Sequence, residues 1–192
     1  MFDEIFDQNG GIRQHYMPYL DWLKNCPTGY LDRKMAEADL LFRRIGITFA
    51  VYGEEEGAER LIPSDPVPRM IPAAEWEYLQ KGLEQRVLAL NLFLEDVYHE
   101  GRILKEGIIP AEKIYKNAQF QACMLNIDLP HKVYSQISGV DLIRHSDGNY
   151  YVLEDNLRIP SGVSYMLQNR RMSRKLFPEL FESYNVEPVD HY

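Results

Sequence analysis

Apolar residues recur at two different spacings along the chain, and the switch between them separates helical from extended stretches. Over residues 31–44, Leu31, Met35, Ala38, Leu41 and Phe42 return every three to four positions, with Asp32 near the start and Gly46 as a stop signal, which predicts a helix. The longest such run covers residues 73–99. There Trp76, Leu79, Leu83, Val87, Leu90, Phe93, Leu94 and Val97 form one stripe closed by Gly101, the pattern of a long amphipathic helix. A shorter helix is expected after Pro110 and another over residues 163–174, while residues 120–125 are apolar enough to be buried. Residues 47–52 are β-rich, end at Gly53 and lead into the charged run Glu54-Glu55-Glu56-Gly57, which reads as a solvated turn between strands of a small sheet. Residues 62–72 hold Pro63, Pro66, Pro68 and Pro72 and predict a stiff extended connector. Residues 1–28 mix aromatics with turn formers and predict an irregular amino-terminal arm, leaving residues 29–192 as the domain proper.

The pattern with most chemistry in it lies at residues 133–164. Two strand-like runs, 133–145 and 150–156, flank Ser146-Asp147-Gly148-Asn149, and Asp-Gly between such runs is a strong hairpin signal. With Asp147 and Gly148 as the two loop residues, cross-strand partners have numbers summing to 295, so that Ile143 faces Val152, Asp141 faces Glu154 and Gly139 faces Asn156. Directly opposed carboxylates destabilise a sheet unless something compensates them. Asn156 shares their face, and Gly139 would leave an open space beside them. Two carboxylates and a carboxamide are hard oxygen donors suited to Mg²⁺, which takes one or two protein carboxylates and fills its other positions with water and phosphate. Pairing of the acids with Arg144 or Arg158 is the competing reading. After the strand, residues 157–162 form a tight polar loop opening onto a helix, so its backbone N–H groups could face an anion.

Composition narrows the classes. A chain of 192 residues suits one domain, or one with an appendage, and 45% hydrophobic with 12% aromatic residues suffices for a packed core. The net charge of −8 disfavours non-specific binding to nucleic acid or an anionic membrane. Two distant cysteines, Cys26 and Cys123, build neither a disulfide framework nor a metal cluster, and the acidic start Met1-Phe2-Asp3-Glu4 is unlike a secretory signal. A cytoplasmic protein is expected.

The run from Gly139 through Asp141, Glu154-Asp155-Asn156 and Pro160-Ser161-Gly162 resembles the metal-binding hairpin of ATP-grasp ligases, such as D-alanine-D-alanine ligase and glutathionylspermidine synthase. The whole chain is similar to the circularly permuted type 2 ATP-grasp proteins, through Pro68-Arg69-Met70-Ile71, the helix containing Gln85-Arg86-Val87-Leu88-Ala89-Leu90-Asn91, and Glu154-Asp155-Asn156-Leu157-Arg158-Ile159-Pro160-Ser161-Gly162. The resemblance implies an α+β fold in which a mixed or antiparallel sheet carries the metal-site hairpin and packs on the long amphipathic helix. It implies Mg²⁺ on Asp141, Glu154 and Asn156, ATP contacted by Ser161, Gly162 and Leu153, the last on the face opposite Glu154 and packing against the adenine or the core, and Arg158 as the catalytic cation.

The implied reaction is ATP-dependent amide formation from small-molecule or peptide carboxylate and amine substrates through an acyl-phosphate. Related ligases carry an arginine where this chain has Gly139, with Arg144 or Arg158 as substitutes. Family members are also longer, so the chain corresponds to an amino-terminal portion without the nucleotide-cradling half, inactive alone, with that half as a further partner. The alternatives are a non-catalytic scaffold or interaction module of ATP-grasp descent, and a metal-dependent phosphoryl enzyme of another fold. His145 and His99 read as structural residues. Arg69 reads as readily as a partner of Glu75 as a substrate contact, and the cluster Arg170, Arg171, Arg174 and Lys175 as a complement to a helix dipole or a phosphate contact.

Overall fold

A computed structural model describes residues 2–46, 48–50, 59–61, 65, 68–160 and 162–191. The described residues form seven α-helices and four strands, in the order α1 (Met17–Asn25), α2 (Tyr30–Ile45), β1 (Thr48–Ala50), β2 (Glu59–Leu61), α3 (Ala73–Tyr98), α4 (Arg102–Lys105), α5 (Ala111–Tyr115), β3 (Gly139–Arg144), β4 (Tyr150–Asn156), α6 (Gly162–Leu176) and α7 (Pro178–Glu182). The fold is α+β, as expected. Its strands pair as two separate two-stranded sheets, β1 with β2 and β3 with β4, and no mixed sheet occurs among the described residues. β1 and β2 run antiparallel with Phe49 opposite Arg60; the charged turn expected between them lies outside the described residues. The chain divides into two compact units, one of residues 1–72, 144–149 and 161–192, the other of residues 73–143 and 150–160.

The first unit is built on helical periodicity. Helix α2 buries Ala38 and Phe42 and ends at Gly46, whose φ of 72° lets its N–H reach back to the carbonyls of Phe42 and Arg43. Those side chains pack with Tyr16, Tyr19, Met172, Leu176, Phe177 and Leu180. The first 28 residues therefore contain a helix and supply two of the most deeply buried side chains of the unit. Among the described residues the hydroxyls of Tyr184 and Tyr16 are partnered, whereas that of fully buried Tyr19 has no hydrogen-bond partner. Tyr184 Oη accepts the Tyr19 N–H at 2.9 Å and donates to the His15 carbonyl at 2.9 Å. Tyr16 Oη donates to the Pro68 carbonyl and accepts the Met70 N–H, both at 3.1 Å, which ties the end of the proline-rich connector to the core. The hairpin turn 145–149 belongs to this unit, where the Phe2 ring lies under the Arg144 guanidinium, 4.0 Å from the ring centre, and Arg144 pairs with Glu4 at 3.2 Å.

The second unit is organised by α3, which spans 26 residues and buries Leu79, Asn91, Val97 and Tyr98. Trp76, assigned to the same stripe by spacing, is 46% exposed. Beyond α3, Gly101 takes a left-handed φ of 60° and the Asp96 carboxylate accepts the N–H groups of Arg102 and Ile103, both at 2.9 Å, starting α4. The helix expected after Pro110 is α5, of five residues. Residues 120–125, expected to be buried, are not: Phe120 and Met124 are half-buried and Leu125 is 41% exposed. Phe120 instead meets two rings: it stacks at 5.3 Å on Tyr98, which stacks in turn on Tyr134 at 5.7 Å, and it meets Tyr115 edge-on at 5.3 Å.

Candidate functional site

The site is centred on the β3–β4 hairpin, of which residues 139–143 and 150–156 belong to the second unit. Its turn is closed by the His145 N–H donating to the Asn149 carbonyl and the Gly148 N–H donating to the His145 carbonyl, both at 2.9 Å, with Gly148 at φ +84°. That is a three-residue loop with glycine in the left-handed position, rather than the expected two-residue loop. His145 is thus opposite Asn149, and partner numbers near the turn sum to 294, placing Ile143 opposite Tyr151 and Asp141 opposite Leu153. At the far end a Cβ on Gly139 would lie 3.5 Å from the Asn156 Cβ, a pairing that sums to 295. One extra residue has therefore entered β4, which has seven residues against six in β3. The exposure pattern locates it. Side chains of β4 alternate until Leu153 and Glu154, which are both exposed, as in a β-bulge. The expectation that Leu153 points away from Glu154 is corrected by this bulge, because both stand on the outward face that Asp141 shares.

That face carries Ile143, Tyr151 and Leu153, exposed by 45%, 50% and 67%, followed by the oxygen donors Asp141, Glu154 and Asn156. Glu154 and Asn156 are brought together: Asn156 Nδ2 donates to Glu154 Oε1 at 2.9 Å. This bond uses one of the two amide hydrogens and identifies the Asn156 carbonyl oxygen and the second Glu154 oxygen as the remaining acceptors of the pair. No group of three His, Cys, Asp or Glu side chains among the described residues is spaced to hold a metal ion. The open space expected beside Gly139 is filled, since a Cβ there would fall 2.9 Å from Pro160 Cβ. Glycine is needed at 139 because the ring of Pro160 seats against the backbone, and an arginine at that position would displace it. Of the substitutes considered for that arginine, Arg144 is engaged by Glu4 and Phe2, and Arg158 donates to Gln119 Oε1 at 2.8 Å. Ser161 lies outside the described residues, and Gly162 opens α6 in the first unit.

Spacing arguments missed the side chains that fix β4 and the strap leading into β3. Asp155, between Glu154 and Asn156, is gripped by Arg86 of α3 through two bonds, Nε to Oδ1 at 2.7 Å and Nη2 to Oδ2 at 2.6 Å. The Arg86 guanidinium beside it holds the Asp155 carboxyl below its usual range. One turn and a half along the same helix, buried Asn91 accepts the N–H groups of Tyr134 and Ser135 on one oxygen, at 2.7 and 2.9 Å, and donates to the Val87 carbonyl at 3.1 Å. Ser135 Oγ donates to the Leu157 carbonyl at 3.1 Å, joining the strap to the segment after β4. The strap begins at His131 and Lys132, both left-handed at φ 56° and 57°, with Lys132 Nζ 3.0 Å from Glu95. Tyr134 donates to the same carboxylate at 3.0 Å, and burial with that bond pushes its hydroxyl up to about 12. The sequence did carry a signal for Asn91, a carboxamide set within an apolar helical stripe.

Residues 68–192 match the model of the circularly permuted ATP-grasp type 2 family, a span that contains α3, the strap, the hairpin and α6. An uncharacterized protein of Synechocystis sp. is 40% identical over 191 residues, covering 100% of this chain and 40% of its own length. An uncharacterized protein of Mycobacterium tuberculosis is 41% identical over 194 residues, again 100% of this chain and 34% of its own. A protein of Frankia casuarinae with the provisional name glutamate–cysteine ligase 2-2 is 36% identical over 179 residues, 93% of this chain and 20% of its own. The chain thus spans two fifths or less of the length of these relatives. With the family model covering well over half of its residues, the chain belongs to the circularly permuted ATP-grasp type 2 family.

Proposed function

We propose that this chain supplies the metal-holding and base-contacting part of an ATP-dependent carboxylate–amine ligase that forms an amide through an acyl-phosphate. The observation that carries the reading is the outward face of the β3–β4 hairpin, where an apolar platform of Ile143, Tyr151 and Leu153 adjoins Asp141, Glu154 and Asn156. An exposed apolar surface suits a purine base, and hard oxygen donors suit the cation that accompanies its phosphates. The donor set fits Mg²⁺: two carboxylates and a carboxamide whose nitrogen is already committed to Glu154. When bound, Mg²⁺ supplies charge neutralisation at the phosphates. Arg86 holds Asp155 and with it the direction of the two flanking donors. Leu153 packs on the base, and Arg158, released from Gln119, balances charge on the transferred phosphoryl group.

In this reaction a carboxylate oxygen attacks the γ-phosphorus and ADP departs with the electrons of the broken P–O bond. An amine nitrogen then attacks the acyl carbon, phosphate departs, and the nitrogen gives up a proton. Family membership and the ligase name of the Frankia relative support this chemistry. The substrates are a small-molecule or peptide carboxylate and an amine, in the cytoplasm, and turnover requires a polypeptide matching the remainder of the longer relatives. The exposed apolar side chains Ile143, Tyr151 and Leu153 also suit a second reading, a non-catalytic module that uses the same face for interaction.

Calorimetric titration with Mg-ATP, on this chain and on a longer form, separates the two. The ligase reading expects the longer form to bind nucleotide and release ADP, and expects Asp141→Asn with Glu154→Gln to abolish ADP release while circular dichroism is unchanged. Full turnover in the double variant overturns it.

A further inference from the structure

The cationic residues near the end of α6 line a groove in the first unit that the proposed ligase chemistry does not use. Arg170, Arg171, Arg174 and Lys175 face a space of about 410 Å³, with Asp190 as the one carboxylate in its lining among the described residues. Helix-dipole complementation accounts for Arg174 and Lys175, which lie in the last turn, but not for Arg170 and Arg171, which precede it. Spacing works against the cluster as well. Arg170 with Arg174, and Arg171 with Lys175, are like charges four apart on a helix, which destabilises it. An arrangement with this cost, in a chain of net charge −8, is compensated when an anion lies among the cations.

The groove already holds one weak internal anion. Asp190 Oδ2 lies 3.9 Å from Arg174 Nη1, with both side chains half exposed, and such a pair contributes little and is readily exchanged. Arg170 donates to the Glu187 carbonyl at 3.0 Å, which pins the tail as one wall. Arg171 and Lys175 are both exposed on the helix and present a guanidinium fork and an ammonium to the same space. Gln168 adds a neutral donor, while Ile45 and Met172 give the groove an apolar side. Multiple cations beside apolar surface match a small organic molecule bearing two or more negative charges. The chain's net charge repels a long polyanion such as nucleic acid.

We propose that this groove between the end of α2 and α6 is a binding site for a small oligoanion, phosphorylated or polycarboxylate, held mainly by Arg171 and Lys175 in competition with Asp190. The test is calorimetric titration of the whole chain with pyrophosphate and, separately, citrate, in EDTA so that divalent metal contributes nothing. The wild type is expected to saturate at one site. Arg171→Gln with Lys175→Gln should raise Kd at least about tenfold, Asp190→Asn should lower it roughly two- to fivefold, and Lys113→Gln in the other unit should leave it within about twofold. Tighter pyrophosphate than citrate assigns a phosphorylated ligand, and the reverse assigns a polycarboxylate. The proposal is overturned if the wild type fails to saturate by about 5 mM with either anion. It is equally overturned if the double variant binds as the wild type does, or if Lys113→Gln loses as much affinity as the double variant.

Discussion

Replacing Asn91 with alanine isolates the tie between α3 and the strap that feeds β3. The side-chain oxygen accepts two backbone N–H groups, of Tyr134 at 2.7 Å and Ser135 at 2.9 Å, and Ser135 is only 5% exposed. In the alanine variant the Ser135 N–H loses its acceptor in a place water reaches poorly, a loss of about 1–3 kcal/mol, while the half-buried Tyr134 N–H loses about 0.5–1.5 kcal/mol. The Val87 carbonyl keeps its place in the helix and adds little. The sum, about 2–4 kcal/mol, corresponds to a fall in melting temperature of roughly 5–15 °C for a chain of this size. Urea unfolding followed by far-ultraviolet circular dichroism measures the loss, and hydrogen exchange localises it: the amides of Tyr134 and Ser135 should exchange orders of magnitude faster, while those of α2 stay protected. Leu92→Ala, one residue along and 55% exposed, serves as the control and should cost under about 1 kcal/mol. A loss below about 1 kcal/mol for Asn91→Ala, or unchanged exchange at 134 and 135, would refute the assignment of this side chain as the tie.

Gly139→Ala puts a methyl 2.9 Å from Pro160 Cβ and should cost about 1–3 kcal/mol in urea unfolding, with much of the loss recovered when Pro160→Gly is added; equal losses in the single and double variants would contradict the contact. The Arg86–Asp155 pair predicts a pH dependence. Because the Asp155 carboxyl is held below its usual value, its contribution is fully present above about pH 4 and is lost as the pH falls through the lowered value. The stability difference between wild type and Asp155→Asn should therefore be constant from neutral pH down to about 4 and shrink below it. Tyr134, pushed up to about 12 by burial and by Glu95, should remain protonated in alkaline spectrophotometric titration after the exposed tyrosines have ionised; because burial and Glu179 push Tyr30 up to about 12 as well, Tyr134→Phe should shrink the late step by one tyrosine's amplitude, and an unchanged late amplitude would contradict the assignment.

Helices α2 and α3 were legible because their apolar residues keep one spacing throughout and each meets a glycine stop, Gly46 and Gly101. The hairpin was legible as an element but not in register. Asp147-Gly148 is compatible with a two-residue loop and with a three-residue loop ending in left-handed Gly148, and a bulge at Leu153 and Glu154 leaves no mark in composition. The two displacements offset each other toward the far end, so Asn156 still meets Gly139 although Ile143 meets Tyr151 rather than Val152. Gly139 itself was read as open space, whereas its role is set by Pro160, a neighbour through the fold alone. Arg86 and Asp155 stand 69 positions apart, beyond the reach of any periodicity argument. Burial of residues 120–125 failed for a related reason: apolar composition does not show whether a segment meets a core or, as here, the rings of Tyr98 and Tyr115 through Phe120.

The most direct test of the central claim is a titration of isotopically labelled chain with Mn²⁺ and ATP, followed by paramagnetic broadening of backbone amide signals. The account predicts that Asp141, Glu154 and Asn156 broaden first, that Leu153 shifts with ATP, and that Asp141→Asn with Glu154→Gln removes the broadening while the rest of the spectrum is preserved. Broadening centred elsewhere in the chain, or broadening at the hairpin that survives the double substitution, would contradict it.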